Sequence, residues 1–170
     1  MGLEMIKPSP DLDVVAKRIK EHYDGKGVQT NLGVIRKVLE YSNYSASETF
    51  PGGPFTAKDL AAIAMVETNF SQYAVGKSGE RGIFQIYDYH TELREMGLKD
   101  RNIFDLDVNA MAVCHELKKK YKKHQDYYTS IIAYNGYRVD NNGNLRTHYW
   151  KKFAEAREFI EGIWSEDKYD

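Results

Sequence analysis

The sequence carries one cysteine in 170 residues, so no disulfide can close within the chain. This excludes the small disulfide-stapled scaffolds and leaves the compartment open, and a chain of this length can bury a core without such staples. Neither sign of charge predominates. Basic residues number 24 and acidic ones 25, for a net charge of −1, which excludes the global positive field of a nucleic-acid binder. No apolar run approaches the roughly 20 residues of a membrane span. Met1 to Pro10 holds Leu3, Met5 and Ile6 but lacks the apolar stretch of a signal peptide, so none is expected in this chain. No phosphate-cradling glycine loop, internal repeat or low-complexity tract is present, and no cofactor is expected.

What remains is an ordinary globular composition, 42% hydrophobic and 29% charged, which fits one soluble, monomeric domain. Tyrosine is abundant, at 13 residues. Such rings can pack the rim of a helical core or stack on sugar faces. Lys118, Lys119, Lys120, Lys122 and Lys123 form a local basic cluster. It reads as the solvated face of a helix, or as an attraction for an anionic polymer.

Helical periodicity dominates. Leu12, Val15 and Ile19 mark a helix over Asp11–Tyr23, stopped by Asp24-Gly25-Lys26-Gly27. Leu32, Ile35, Val38 and Leu39 mark a second over Asn31–Tyr41. Ser42–Phe55, with Pro51-Gly52-Gly53-Pro54, reads as a loop. Thr56-Ala57-Lys58-Asp59 has the form of a capping box, after which Leu60, Ile63, Ala64 and Glu67 follow at helical spacing. Ser71–Gly82 reads as a glycine-containing loop and Ile83–Ile86 as a short apolar segment. Further helices are expected over Tyr89–Met96, from Val108 to about Lys123 capped by Asp107, after Asp126, and over Thr147–Trp164. Asn142-Gly143 predicts a type I′ turn in a small β-hairpin between Tyr137 and Arg146. The expected class is mainly α with at most that hairpin. Residues 1–55 are expected as an N-terminal helical extension packed on the same domain, and 56–170 as the main domain.

Four segments stand out. They are Glu67-Thr68-Asn69-Phe70, Gly79-Glu80-Arg81-Gly82-Ile83-Phe84-Gln85, Asp105-Leu106-Asp107-Val108-Asn109, and Ala133-Tyr134-Asn135-Gly136. In this order and spacing they resemble the lytic transglycosylase domain of soluble lytic transglycosylases, a family related to goose-type lysozymes. The resemblance covers roughly Thr56 to Ala156. It departs from the family pattern at Thr68, where serine is usual, and at Ile83-Phe84 for Leu-Met. Glu80 stands where a small residue is common, Leu106 replaces a proline, and Tyr137 stands where a glycine is common.

The resemblance implies a lysozyme-like fold, peptidoglycan glycan strands as substrate and Glu67 as catalytic acid. It also implies substrate-binding roles for Gln85, Tyr134 and Asn135, with Thr68 and Tyr137 beside them and no metal. It places the activity at the cell envelope, outside the cell or with a phage. The residues support the acid independently. Glycosidic cleavage needs a proton donor, and a glutamate on the apolar side of a helix, near Met65, Val66, Phe70, Ile83 and Phe84, would be held protonated by desolvation. On spacing alone, a solvated Glu67 or one paired with Arg81 is the competing reading. A second carboxylate is not defined; Glu80, Asp88 and Glu92 are near enough in sequence to serve. Without one, the family chemistry yields a 1,6-anhydro sugar. With one, goose-type hydrolysis of peptidoglycan or a chitin-like polymer is the alternative, and a non-catalytic glycan-binding protein is a third. Tyr87, Tyr137 and Tyr149 are candidates for sugar stacking.

Other signals fail. His115-Glu116 begins a zinc-protease pattern without its second histidine. Asp140-Asn141-Asn142-Gly143-Asn144 hints at a calcium loop, but its glycine is misplaced and Lys151 stands where a bidentate glutamate belongs. Cys114 is expected in the core.

Overall fold

Helices begin where the chain offers short side-chain acceptors to otherwise unpaired amides. Asp11 accepts from the Asp13 amide at 2.9 Å and opens α1, Leu12–Gly25. Asn31 accepts from the Val34 amide at 3.0 Å and opens α2, Leu32–Thr49. Asp59 accepts from the Thr56 amide at 2.7 Å at the start of α3, Ala57–Thr68. Asp126 accepts from the Thr129 amide at 2.7 Å and opens α6, Tyr127–Tyr134. Two helices lie between, α4 (Tyr89–Glu95) and α5 (Leu106–His124), and α7 (His148–Ser165) follows. The computed structural model describes residues 11–165, so the expectation concerning Met1–Pro10 lies outside the described residues.

The fold is a mainly helical, lysozyme-like arrangement around α3. Leu60, Ala61, Ala62, Ile63 and Ala64 are all fully buried, so α3 is enclosed on every side through its middle. Its alanines let α2 and α7 approach closely. Burial of Leu60 and Ile63 contributes about 1.5–3 kcal/mol each. α5 packs on α2 and α6, and α1 on α2 and α7. Val15 and Ile19 of α1 and Ile35 and Leu39 of α2 belong to the same core as α3. Cys114 is buried there, as expected. Asp59 has a second use. Buried at 2% exposure, it accepts from Tyr127 Oη at 2.5 Å and from Arg157 Nε at 3.0 Å, tying the start of α3 to α6 and α7.

Three expectations are corrected. α2 does not stop at Tyr41 but continues to Thr49. Ser42, Ser45 and Ala46 are buried at helical spacing, and these small side chains let the extended turn pack close, overriding the weak helix preference of serine. α5 starts two residues earlier, with Asp105 as cap and Asp107 in its first turn. The hairpin is reduced to one antiparallel bridge, Val139 to Leu145. Its turn is not type I′, because Gly143 has positive φ (80°) and Asn142 does not. The Gly143 amide bonds Asp140 O at 3.0 Å and the Asp140 amide bonds Asn144 O at 2.7 Å, the pattern of a three-residue loop with glycine in the left-handed position. Asp140 Oδ1 accepts from the amides of Asn142 and Asn144, so a turn, not a calcium loop, uses that carboxylate.

Candidate active site

α3 delivers Glu67 in its last turn and then stops abruptly. Asn69 and Phe70 both have left-handed backbones, at φ 52° and 61°. The Thr68 hydroxyl donates to Ile83 O at 2.7 Å, joining the end of α3 to the segment opposite. That segment, residues 74–86, folds on itself through bridges from Val75 to Arg81 and from Arg81 to Ile86. Gln85 Nε2 donates to Ala74 O at 3.2 Å and Gly82 O at 3.0 Å, holding the loop shut from inside.

Asn109 holds the loop from below. Fully buried, it donates to Ile103 O (2.8 Å) and Arg81 O (3.2 Å) and accepts from the Phe84 amide (2.9 Å). Gly82 is required by this contact, since a Cβ there would lie 2.3 Å from Asn109 Nδ2, at a φ of +83°. Gly76 is required by another. A Cβ would fall 1.7 Å from Glu80 Oε2 and 2.6 Å from Gln85 Oε1, so its absence is what lets the Glu80 carboxylate lie across the loop.

Glu67 is mostly buried, and among the described residues it has neither an ion-pair nor a hydrogen-bond partner. Arg81, the partner weighed from sequence, is occupied elsewhere. It donates to Gly79 O at 2.9 Å and lies 5.5 Å from the centroid of the Tyr89 ring. Burial therefore pushes the Glu67 carboxyl up, the facing charge of Glu80 pushes it further, and Lys152 pulls it back only in part, leaving it at about 7. Two phenols complete the surroundings. Tyr134 and Tyr149 are both pushed well above the usual tyrosine range by burial and then by the Glu67 charge. Tyr134 Oη donates to Phe84 O at 2.5 Å. Tyr149 Oη is buried without a hydrogen-bond partner among the described residues.

Glu67 opens onto a groove of about 650 Å³ that also takes in Glu80, Gln85, Tyr134, Asn135 and Tyr137. Asn135 and Tyr137 are exposed on its rim, with Tyr137 stacked on His124 at 5.3 Å. Tyr87 and Asp88 lie exposed on the same groove. Asp88 caps α4 with a left-handed backbone at φ 51°. Thr68 faces Ile83 O rather than the groove. Tyr149, at 5% exposure, is too buried to stack on a sugar and lies close enough to Glu67 to feel its charge. Sequence reasoning assigned no role to Asn109 or Lys152, although Asn109 stood in a recognised segment.

A second carboxyl cluster lines the same groove. Glu92, at 1% exposure, bonds His115 Nδ1 and Lys119 Nζ and shares a hydrogen bond with Glu116. Burial pushes Glu92 up, but the bonds from Glu116, Lys119 and His115 outweigh it and hold Glu92 below its ordinary value. Burial, then the bond and charge of Glu92, push Glu116 up to about 7. Glu92, Glu95 and His115 offer ligand atoms within 4.8 Å of one another, the spacing of a metal site. The Lys119 ammonium bonds both glutamates and supplies positive charge there.

An unpaired carboxyl on a helix end, raised to about 7 and open to a groove, is an arrangement suited to the glycan-cleaving chemistry of the lysozyme-like class. Residues 55–157 match the family model of the transglycosylase SLT domain, and the chain belongs to this family of peptidoglycan lytic transglycosylases. No curated protein and no solved structure matches the chain. No helix among the described residues is long and apolar enough to cross a membrane.

Proposed function

We propose that this enzyme cleaves the β-1,4 bond between N-acetylmuramic acid and N-acetylglucosamine, with Glu67 acting first as acid and then as base. The observation that carries this reading is a groove-facing carboxyl held at about 7 with no partner among the described residues to share its proton. Protonated Glu67 gives its proton to the glycosidic oxygen as the C1–O bond breaks. The substrate's own acetamido oxygen closes onto C1. The Glu67 carboxylate then takes the proton of the muramoyl 6-hydroxyl while O6 displaces the acetamido oxygen, leaving a 1,6-anhydro end and a neutral Glu67. Tyr134 and Tyr149 would position the carboxyl, and Gln85 would keep the wall opposite in place. Asn135, Tyr137 and Tyr87 on the rim would contact sugars. The setting proposed is the cell envelope, the extracellular space or a phage particle.

Glu80 supports a second reading. Its carboxylate faces Glu67 and raises its pKa, a placement that would let it orient a water for hydrolysis, whereas the charge of Asp88, on the same groove, is not among the causes of that shift. Mass spectrometry of fragments released from purified peptidoglycan separates the two. Anhydro ends are expected from the first reading, and reducing ends throughout would replace it with the second.

A further inference from the structure

The groove's cationic rim is not used by this chemistry. Lys120 and Lys123 come from the last turns of α5, and Arg138 and Arg146 from the loop before α7. Two adjoining concavities share Glu80, Asn135, Gly136 and Arg138. One reaches Glu67, Lys120 and Lys123, and the other reaches Arg146 and Tyr149. Lys119 is saturated by Glu92 and Glu95, and Lys120 reaches only Glu116, at 3.9 Å. Among the described residues, Lys123, Arg138 and Arg146 are in no ion pair and are exposed.

The two arginines are held side by side. The Val139–Leu145 bridge and the Arg146 amide bonded to Arg138 O at 2.9 Å make them cross-strand neighbours. Like charges directly opposite destabilise a strand pair, so their placement costs the fold and serves no contact within it. An exposed lysine cluster alone would be an ordinary solvated helix face. Here two arginines with directly paired backbones, neither in an ion pair among the described residues, stand beside it on the concavities that adjoin Glu67. Guanidinium forks match carboxylates.

We propose that Lys123, Arg138 and Arg146 grip carboxylates carried by the muramoyl residues of the strand lying over Glu67. The carboxylate is that of the lactyl group itself or of the peptide attached to it. The inference rests on the glycosidase reading above and deepens it from a bond to a charged strand.

The test uses the full chain and three glycan preparations. These are peptide-bearing strands, amidase-stripped strands with lactyl carboxylates, and stripped strands whose carboxylates are capped as methylamides. Wild-type kcat/KM is expected to be about tenfold or more higher on at least one carboxylate-bearing preparation than on the capped one. Which preparation it is identifies the source. That ratio should fall towards one in Lys123→Gln/Arg138→Gln/Arg146→Gln and with rising salt, but not in the equal-charge control Lys17→Gln/Lys37→Gln/Lys99→Gln. A wild-type ratio near one, or a ratio the control lowers equally, overturns the proposal. Co-sedimentation of the Glu67→Gln protein with the same strands provides a readout independent of turnover. If no preparation is cleaved, the glycosidase reading fails, while sedimentation still decides the anion site.

Discussion

Glu67 and Glu116 line one groove and both are raised to about 7 by burial and a neighbouring carboxylate, yet only Glu116 is hydrogen-bonded to that neighbour. Glu67 is desolvated, faced by another carboxylate and bonded to nothing among the described residues. Glu116 is desolvated but shares its proton with Glu92, inside a net of Lys119, Lys120 and His115. A raised pKa by itself therefore does not mark the acid. A proton already engaged in a hydrogen bond stabilises structure, whereas an unengaged one is available to a leaving group.

The most severe test of this contrast is Glu67→Gln. Fragment release from purified walls is expected to fall about a thousandfold or more with the helical circular dichroism unchanged. A variant keeping a tenth of normal lysis would end Glu67's assignment. Next is Glu92→Leu, which deprives Lys119 and His115 of their buried acceptor. Urea unfolding should show a loss of about 2 kcal/mol, and an unchanged midpoint would mean that the net is ornamental. Tyr149→Phe should reverse that pattern. Its hydroxyl has no partner to lose, so stability should hold while lysis falls about tenfold.

The smallest effects concern pH. Glu67 and Glu116 have folded pKa values above the ordinary 4.5. Each contributes stability that is fully present below about 4.5 and is lost as pH rises through about 7. Glu92, held low, contributes in the opposite direction and loses its share in acid. Melting temperature should therefore decline between pH 5 and pH 8, and less steeply in Glu116→Gln, whose lysis profile should keep the wild-type shape. Lysis by the wild type should fade above about pH 7 as Glu67 loses its proton. In Glu80→Gln that limb should move to lower pH, because one of the charges raising Glu67 is gone. An unmoved limb would show that Glu80 does not act on Glu67.

Local signals were the legible ones. The Thr56–Asp59 box and Asp126 announced two helix starts, because capping is decided within three residues, and apolar periodicity placed two more at Asp11 and Asn31. Glu67 stood out as a carboxylate on an apolar face. The end of α2 was illegible, since Ser42 and Ser45 are helical only because α2 packs against its neighbours there. Nor could sequence show Tyr149 under the site rather than on its rim, since burial depends on how α7 crosses α3. The Glu80–Glu67 juxtaposition depends on Gly76, which lies between the two motifs and belongs to neither, leaving the loop a path for a carboxylate. The nature of the Asn142-Gly143 turn depended on one backbone sign that the dipeptide does not determine.

Tyr23 of α1 donates to Asn69 Oδ1 at 3.2 Å, two residues beyond the acid, and α1 and α2 supply part of the shared core. For anyone building chimeric wall-degrading enzymes, this changes what counts as a transferable part. A graft bounded at residues 55 and 157 would carry every motif and lose the anchor of the turn after Glu67. It would also present Leu60 and its neighbours to water. The smallest portable unit is expected to start at Asp11, and solubility of grafts cut at 11 and at 55 would measure the difference.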